Sequence, residues 1–237
     1  PGVIIPITIG RARSIELIKD AEDGKKIIGV VSQKDGNIET PSDSDLNQVG
    51  TVAKILKTLR MPDGNITAII QGRKRFELKE IIQNQPYFKG RIEGLNEIKP
   101  DSKNEEFNAL VSTIKDLALR IIDESPNIPN EASIAIKNIK SNSFAINFVS
   151  SNMNIRLDEK QKLLEEIDLH KRAVSALELL TKELQMLEMK NEIQSKVRTD
   201  LDKQQREYFL NQQMKAIQEE LGGGGIEKEV DEMRKKA

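Results

Sequence analysis

From Asp168 to Leu221 the chain contains neither proline nor glycine, and no other feature constrains its fold as strongly. Without a breaker a helix can propagate from end to end. At ~1.5 Å per residue it would reach about 80 Å. Its apolar residues form a narrow stripe. Leu177, Leu180, Leu184 and Leu187 repeat at helical spacing, and a second register runs through Met186, Met189, Ile193, Val197, Leu201 and Tyr208. Past the first third the other faces are charged, so the helix cannot be buried all round. Residues 168–221 are therefore expected to form an arm that projects or pairs, with Ile193, Val197, Leu201 and Tyr208 as its self-association residues. Methionines in such a stripe more often make a helix–helix seam, but their adaptable side chains also suit a binding face. Gly222 to Gly225 end the arm, because four glycines in a row cannot sustain a helix. That tract reads either as natural sequence or as an inserted linker. With the short amphipathic helix expected from Ile226, Val230 and Met233, it makes up a last segment, 222–237.

Residues 1–100 have a different character. Val3–Ile9, Lys26–Ser32, Val49–Leu59, Ile66–Gln71 and Tyr87–Ile98 are rich in isoleucine and valine and are bounded by Gly, Pro, Asp or Asn, which is the pattern of strands. Between two of them, Met61-Pro62-Asp63-Gly64-Asn65 predicts a hairpin turn. Proline presets φ there and glycine tolerates φ > 0. One helix interrupts the strands, with Ser14 as its expected cap, Ile15, Ile18 and Ala21 as its apolar face and Gly24 as its stop. Pro1 and Gly2 read as a strand already under way, with no basic segment or cleavage site of a signal peptide.

Composition changes after Lys99-Pro100. Ser102 with Glu105 predicts a capping box, and Leu110, Ile114, Leu117 and Ile121 follow at helical spacing until Pro126 and Pro129. Two short helices are expected in Glu131–Ser151, separated at Ser141-Asn142-Ser143. A third is expected to open at Asp158, with Gln161 three residues on. Residues 101–167 thus read as a helical bundle.

Several chemistries are excluded by what the chain lacks. With no cysteine there are no disulfides, thiolate metal sites or cysteine nucleophiles, which suits a reducing cytoplasm. One histidine cannot supply a zinc site. His170, among Asp168, Lys171 and Arg172, is expected at the solvated start of a helix rather than in a catalytic cleft. No phosphate-binding G-x-x-x-x-G-K-[ST] occurs. Asp43 and Asp45 have calcium-loop spacing, but Gln48 and Lys54 stand where Gly and Glu are needed. A net charge of −1, with no strong basic excess in either half, argues against nucleic acid. No apolar run approaches a membrane span. Gly72-Arg73-Lys74-Arg75-Phe76 is the dense basic cluster, read as a strand end whose long side chains cover apolar surface.

Taken together, several segments resemble the amino-terminal region of Lon proteases. These are Pro1-Gly2-Val3-Ile4-Ile5-Pro6-Ile7 with Gly10-Arg11 and Ser14-Ile15, then Val49-Gly50-Thr51-Val52-Ala53-Lys54-Ile55, the Pro62-Asp63-Gly64 turn, and Gly72 to Phe76. Lys160-Gln161-Lys162-Leu163-Leu164-Glu165 follows, and the most specific block is QREYFLNQQMKAIQEELG at 205–222. Two departures stand out. A strand usual in the family before Pro1-Gly2 is missing, which would leave a sheet edge unpaired, and the glycine run replaces a more varied segment.

The resemblance implies an α+β fold: a PUA-like β domain with one helix, then a helical bundle ending in a long projecting helix. It implies a non-catalytic module of a cytoplasmic, ATP-dependent serine protease, engaged in protein quality control. Such a module would recognise and hold unfolded, damaged or degron-bearing proteins and support homohexamer assembly. The ATP and magnesium site and the Ser-Lys catalytic pair are expected beyond residue 237, so no cofactor, metal or catalytic residue is assigned within the chain. Candidate substrate contacts are Tyr87 and Phe88 in the β domain and Met186 and Met189 on the arm. The rival readings are a spacer or gating arm for the ATPase ring and, from the PUA-like fold alone, an RNA-binding module.

Overall fold

In the computed structural model, residues 1–62, 64–101, 103–125, 128–129, 131–220 and 233–235 are described. Strand β1 (Ile4–Ile9) leads into helix α1 (Ala12–Asp23), followed by β2 (Ile27–Val30), β3 (Val49–Arg60), β4 (Ile66–Gln83) and β5 (Lys89–Gly94). Helices α2 (Glu105–Glu124), α3 (Glu131–Asn138), α4 (Asn142–Asn152), α5 (Leu157–Glu165) and α6 (Leu169–Glu220) complete an α+β chain. It forms two compact units, Pro1–Gln185 and Met186–Ala237. The glycine run, Ser102, Pro126 and most of 226–237 lie outside the described residues.

The strands form one antiparallel sheet in the order β1-β4-β3-β2, with β5 pairing the far end of β4. Ile9, Ile18, Ile28, Ala53, Ile55, Ile66, Ala68 and Ile70 make its core, with Ile18 of α1 almost fully buried among them. Burying a side chain of that size stabilises by about 1.5–3 kcal/mol. The β3–β4 turn closes as its sequence predicts: Met61 N donates to Asn65 O at 2.9 Å, and Gly64 takes φ +84.

Several boundaries differ from the sequence reading. Strand β4 does not stop at Gln71 but runs on to Gln83. Gly72 permits this by closeness rather than by breaking the strand, since a Cβ there would lie 3.2 Å from Thr51 Cγ2. The basic cluster is therefore mid-strand, and Phe76 is a core residue. Strand β5 is shorter than Tyr87–Ile98, because Tyr87 is held by α1 and Ile98 pairs instead with the segment leading into α6 (Ile98 N to Ile167 O, 3.0 Å).

Capping differs too. Helix α1 begins before Ser14, whose backbone N–H donates to the Arg11 carbonyl. Asn104 caps α2, accepting from Phe107 N at 2.9 Å. Helix α5 starts at Leu157, where the Glu159 carboxylate accepts from Arg156 N at 3.2 Å. The Gln161 amide donates instead to Val49 O at 3.0 Å and accepts from Ser32 Oγ at 3.0 Å, tying the helices to the β sheet.

The second core is helical. Phe107, Val111, Ile114 and Ala118 of α2 pack with Ala145, Ile146 and Val149 of α4 among the buried residues. The opening turns of α6 bury Leu169, Arg172, Ala173, Ala176, Leu180 and Leu184, one side of the helix at three- and four-residue steps.

A buried polar cluster joins this core to the sheet. Arg75 on β4 and Arg172 on α6 are 6% and 1% exposed, and both reach Glu97 Oε1, at 3.1 and 2.6 Å. Both also donate to Asn147 Oδ1, at 2.8 and 3.3 Å. Their remaining donors meet the carbonyls of Leu164 and Glu166. Burial and the neighbouring Arg172 pull the Arg75 pKa down to about 10, so its guanidinium stays charged at neutral pH. Burial pushes Glu97 up, but donors from Arg172 and Ser143 outweigh it and hold the carboxyl below its ordinary range.

Candidate functional site

The β region of the first unit carries an open groove of about 1230 Å³. Helix α1 forms one wall, β2 the second, and the end of β4 with β5 the third. Leu17, Ile28, Phe76, Leu78 and Ile81 line it, and Ile27, Ile82 and Ile92 stand at its rim with roughly half or more of their surface in water. Small-molecule sites occupy about 300–1,000 Å³ and enclose their ligand. A larger, open and mainly apolar trough suits a stretch of polypeptide better.

Tyr87 and Phe88 both line this groove and are half-buried. The Tyr87 hydroxyl donates to Asp20 Oδ2 at 2.7 Å, which raises the phenol's pKa and fixes its ring against α1. Lys89 Nζ lies 5.2 Å from that ring's centre, within cation–π range. Arg11, Arg13 and Lys25 add positive charge along the same trough, against Asp20 and Glu39.

The remaining candidates lie on the second unit. Met186, Met189, Ile193, Val197, Leu201 and Tyr208 are each more than half exposed on α6. At ~100° per residue they fall within an arc of about 120°, which is one continuous face. A hollow of about 650 Å³ around Asp202, Arg206, Tyr208 and Phe209 is lined by that helix alone.

Groove residues Ile27, Ile82 and Ile92 were not singled out by the sequence. The available signal was the doubled apolar pairs Ile27-Ile28 and Ile81-Ile82. Successive strand side chains point to opposite faces, so one member of each pair must face outward. In the basic cluster Arg73 and Lys74 are exposed, whereas Arg75 belongs to the buried cluster. His170 sits in the first turn of α6, its ring centre 6.1 Å from that of Phe107. Asp168 Oδ1 caps that turn, accepting from His170 N and Lys171 N. Asp45 accepts from Ser42 N–H and Oγ, which lowers its pKa and closes a turn. Among the described residues no group of His, Cys, Asp and Glu is placed to hold a metal, and no helix is long and apolar enough to cross a membrane.

Comparison with known proteins places these features. The family described as ATP-dependent protease La (LON) substrate-binding domain matches residues 1–182. The whole chain is 58% identical to the Lon protease of Flavobacterium johnsoniae and 46% identical to that of Parabacteroides distasonis, spanning 29% of each. In structure it is similar to the N-terminal domain of Mycobacterium avium complex Lon protease, with a TM-score of 0.59 at 18% identity, over 76% of this chain and 91% of that one. A Lon N-terminal domain protein from Xanthomonas campestris gives a TM-score of 0.52 at 17% identity, over 75% and 89% of the two chains. At such identities the structural likeness bears on the fold.

Proposed function

We infer a function from one premise: the chain belongs to the substrate-binding domain family of the ATP-dependent Lon proteases. The chain receives and holds unfolded or damaged polypeptide for a longer cytoplasmic protease. The observation that carries this reading is the groove, because its exposed Ile27, Ile82 and Ile92 beside Tyr87 and Phe88 are wasted on a domain that only spaces others. Met186 and Met189 offer a second, adaptable contact on α6. ATP and magnesium chemistry and peptide-bond cleavage by a Ser-Lys pair belong to parts outside this chain, which spans 29% of its relatives' length. The stripe through Ile193, Val197, Leu201 and Tyr208 supports assembly into a homohexamer.

The test is a titration of a fluorescent, permanently unfolded protein against the chain, with its folded form as control. The unfolded form binds and the folded form does not. Ile82→Asp removes one apolar contact and lowers affinity about tenfold. Tyr87→Ser and the paired Met186→Ser, Met189→Ser changes each weaken binding while the chain stays folded. Equal affinity for both forms sinks the reading.

A further inference from the structure

The exposed stripe on α6 has the same spacing read from either end. Counted outward from Val197, Ile193 and Leu201 lie four residues away, and Met186 and Tyr208 lie eleven away. Between them, Met189 and Lys190 on one side are matched by Gln205 and Gln204 on the other. Helix geometry carries this symmetry into space. At ~100° per residue, Ile193 sits about 40° to one side of Val197 and Leu201 about 40° to the other. Met186 and Tyr208 lie about 20° to opposite sides, and so do Lys190 and Gln204, which places those two polar residues inside the stripe rather than beside it. Every one of these side chains is exposed.

Two copies of such a helix can meet along this face in two directions, and the charges separate them. In a parallel pair each residue meets its own counterpart, so Lys190 faces Lys190 within the seam. Opposite flanks also meet, which sets Lys196 against Arg198. Like charges facing each other across an interface oppose association. In an antiparallel pair Val197 meets Val197, Ile193 meets Leu201, and Met186 meets Tyr208. Lys190 then meets Gln204, whose amide oxygen accepts from it. Lys196 meets Asp200 on the same flank, a second carboxylate beside the Glu192 that it contacts at 2.7 Å in its own helix. Six apolar side chains on each copy, at roughly 100 Å² apiece, bring together about 1,200 Å², the lower end of a specific interface.

We propose that α6 pairs antiparallel with a second copy of this chain, on a two-fold axis that passes between the two Val197 side chains. The same patch serves both copies, so the seam closes at two and leaves no unused half. This rests on the reading above that the stripe assembles copies of the chain. It adds the direction, the register and the limit of two copies to a seam.

The chain has no cysteine, so single introduced cysteines report which residues meet. Ile193→Cys chains carrying a size tag are mixed with untagged Leu201→Cys chains and oxidised. The expected product is the mixed disulfide, with little of either homodimer. In an antiparallel seam residue 193 lies about 12 Å along the axis from its own counterpart, too far for a disulfide. Val197→Cys links to itself and shows that the copies meet. Lys196→Asp and Asp200→Lys each set like charges face to face and weaken dimerisation about tenfold in sedimentation. Mixing those two variants restores the wild-type affinity, a rescue between chains that no change within one helix produces. Homodimeric links from Ile193→Cys and from Leu201→Cys, without the mixed product, overturn the antiparallel register while self-association stands. If Val197→Cys gives no link and the wild type sediments as a monomer throughout, both readings fall.

Discussion

Replacing Glu97 by glutamine tests what joins the helices to the sheet. The change keeps shape and one acceptor oxygen but removes the charge that Arg75 and Arg172 share at 3.1 and 2.6 Å. At an effective dielectric constant near 20, one such contact contributes about 4 kcal/mol of Coulomb attraction. Much of that offsets the desolvation of the ions, so the two contacts do not simply add. Removing one partner of a buried ion pair destabilises by about 3–5 kcal/mol, because the other charge remains buried and unpaired. Here two cations remain, facing each other across Asn147 Oδ1. We therefore expect Glu97→Gln to lose about 3–5 kcal/mol, and a Tm drop of about 10 °C for a unit of this size. Urea unfolding followed by far-UV circular dichroism at pH 7 measures it. The triple change Arg75→Met, Glu97→Leu, Arg172→Met recovers part of the loss. Recovery is partial because the Leu164 and Glu166 carbonyls lose their donors. A loss below about 1 kcal/mol for Glu97→Gln, with an unchanged m-value, would refute the reasoning.

The same carboxylate predicts a pH dependence. Its folded pKa lies below the ordinary 4.5, so its contribution is present above that value and is lost as pH falls through the folded one. The stability gap between wild type and Glu97→Gln should be flat from neutral pH to about 5 and shrink below it, read from urea midpoints across pH; a gap that widens in acid contradicts the sign. Leu201→Asp places a charge in the α6 stripe, where burying it unpaired costs several kcal/mol. Sedimentation should show association lost with the β region still folded, and a wild type that is monomeric at every concentration removes the idea. Gly50→Ala puts a Cβ 2.5 Å from the Val30 carbonyl oxygen and 2.7 Å from Phe76 Cζ. Since backbone cannot yield cheaply, it should lower stability by about 1–3 kcal/mol or more in the same urea assay.

Local pattern made much of this architecture legible. The isoleucine and valine runs located β1 to β4, the Pro62 to Gly64 turn located their longest hairpin, and the absence of breakers from Asp168 onward gave α6 its extent. What failed was whatever depends on distant partners. Gly72 looked like a stop because its tolerance for closeness is visible only when Thr51 stands beside it. Ser102, Ser14 and Asp158 have the residue types of caps, yet Asn104, Arg11 and Arg156 occupy the capping positions, a shift of a few residues that composition cannot resolve. Arg75 read as a surface residue because Glu97, Asn147 and Arg172 lie 22 to 97 positions away in the chain. In the groove, Tyr87 and Phe88 were named from the sequence, while Ile27 and Ile82 were hidden beside Ile28 and Ile81, apolar neighbours that line the same groove.

Strand β4 explains why these long-range features occur together. Consecutive side chains on a strand point to opposite faces, and Arg75 and Phe76 are consecutive and both buried. Arg75 turns toward the helices and bonds Glu97, Asn147 and the Leu164 carbonyl. Phe76 turns the other way and lines the groove, its Cζ lying beneath the positions where Gly29 and Gly50 lack side chains. The strand that anchors the helical core thus also lines the groove through Phe76. A partner that lies in the groove meets walls already held in place, so little ordering is required of the protein when it binds. The entropy lost falls mainly on the unfolded partner. That division suits a site that must accept many sequences weakly: the groove is fixed beforehand, and the partner's composition sets how much apolar and charged contact follows.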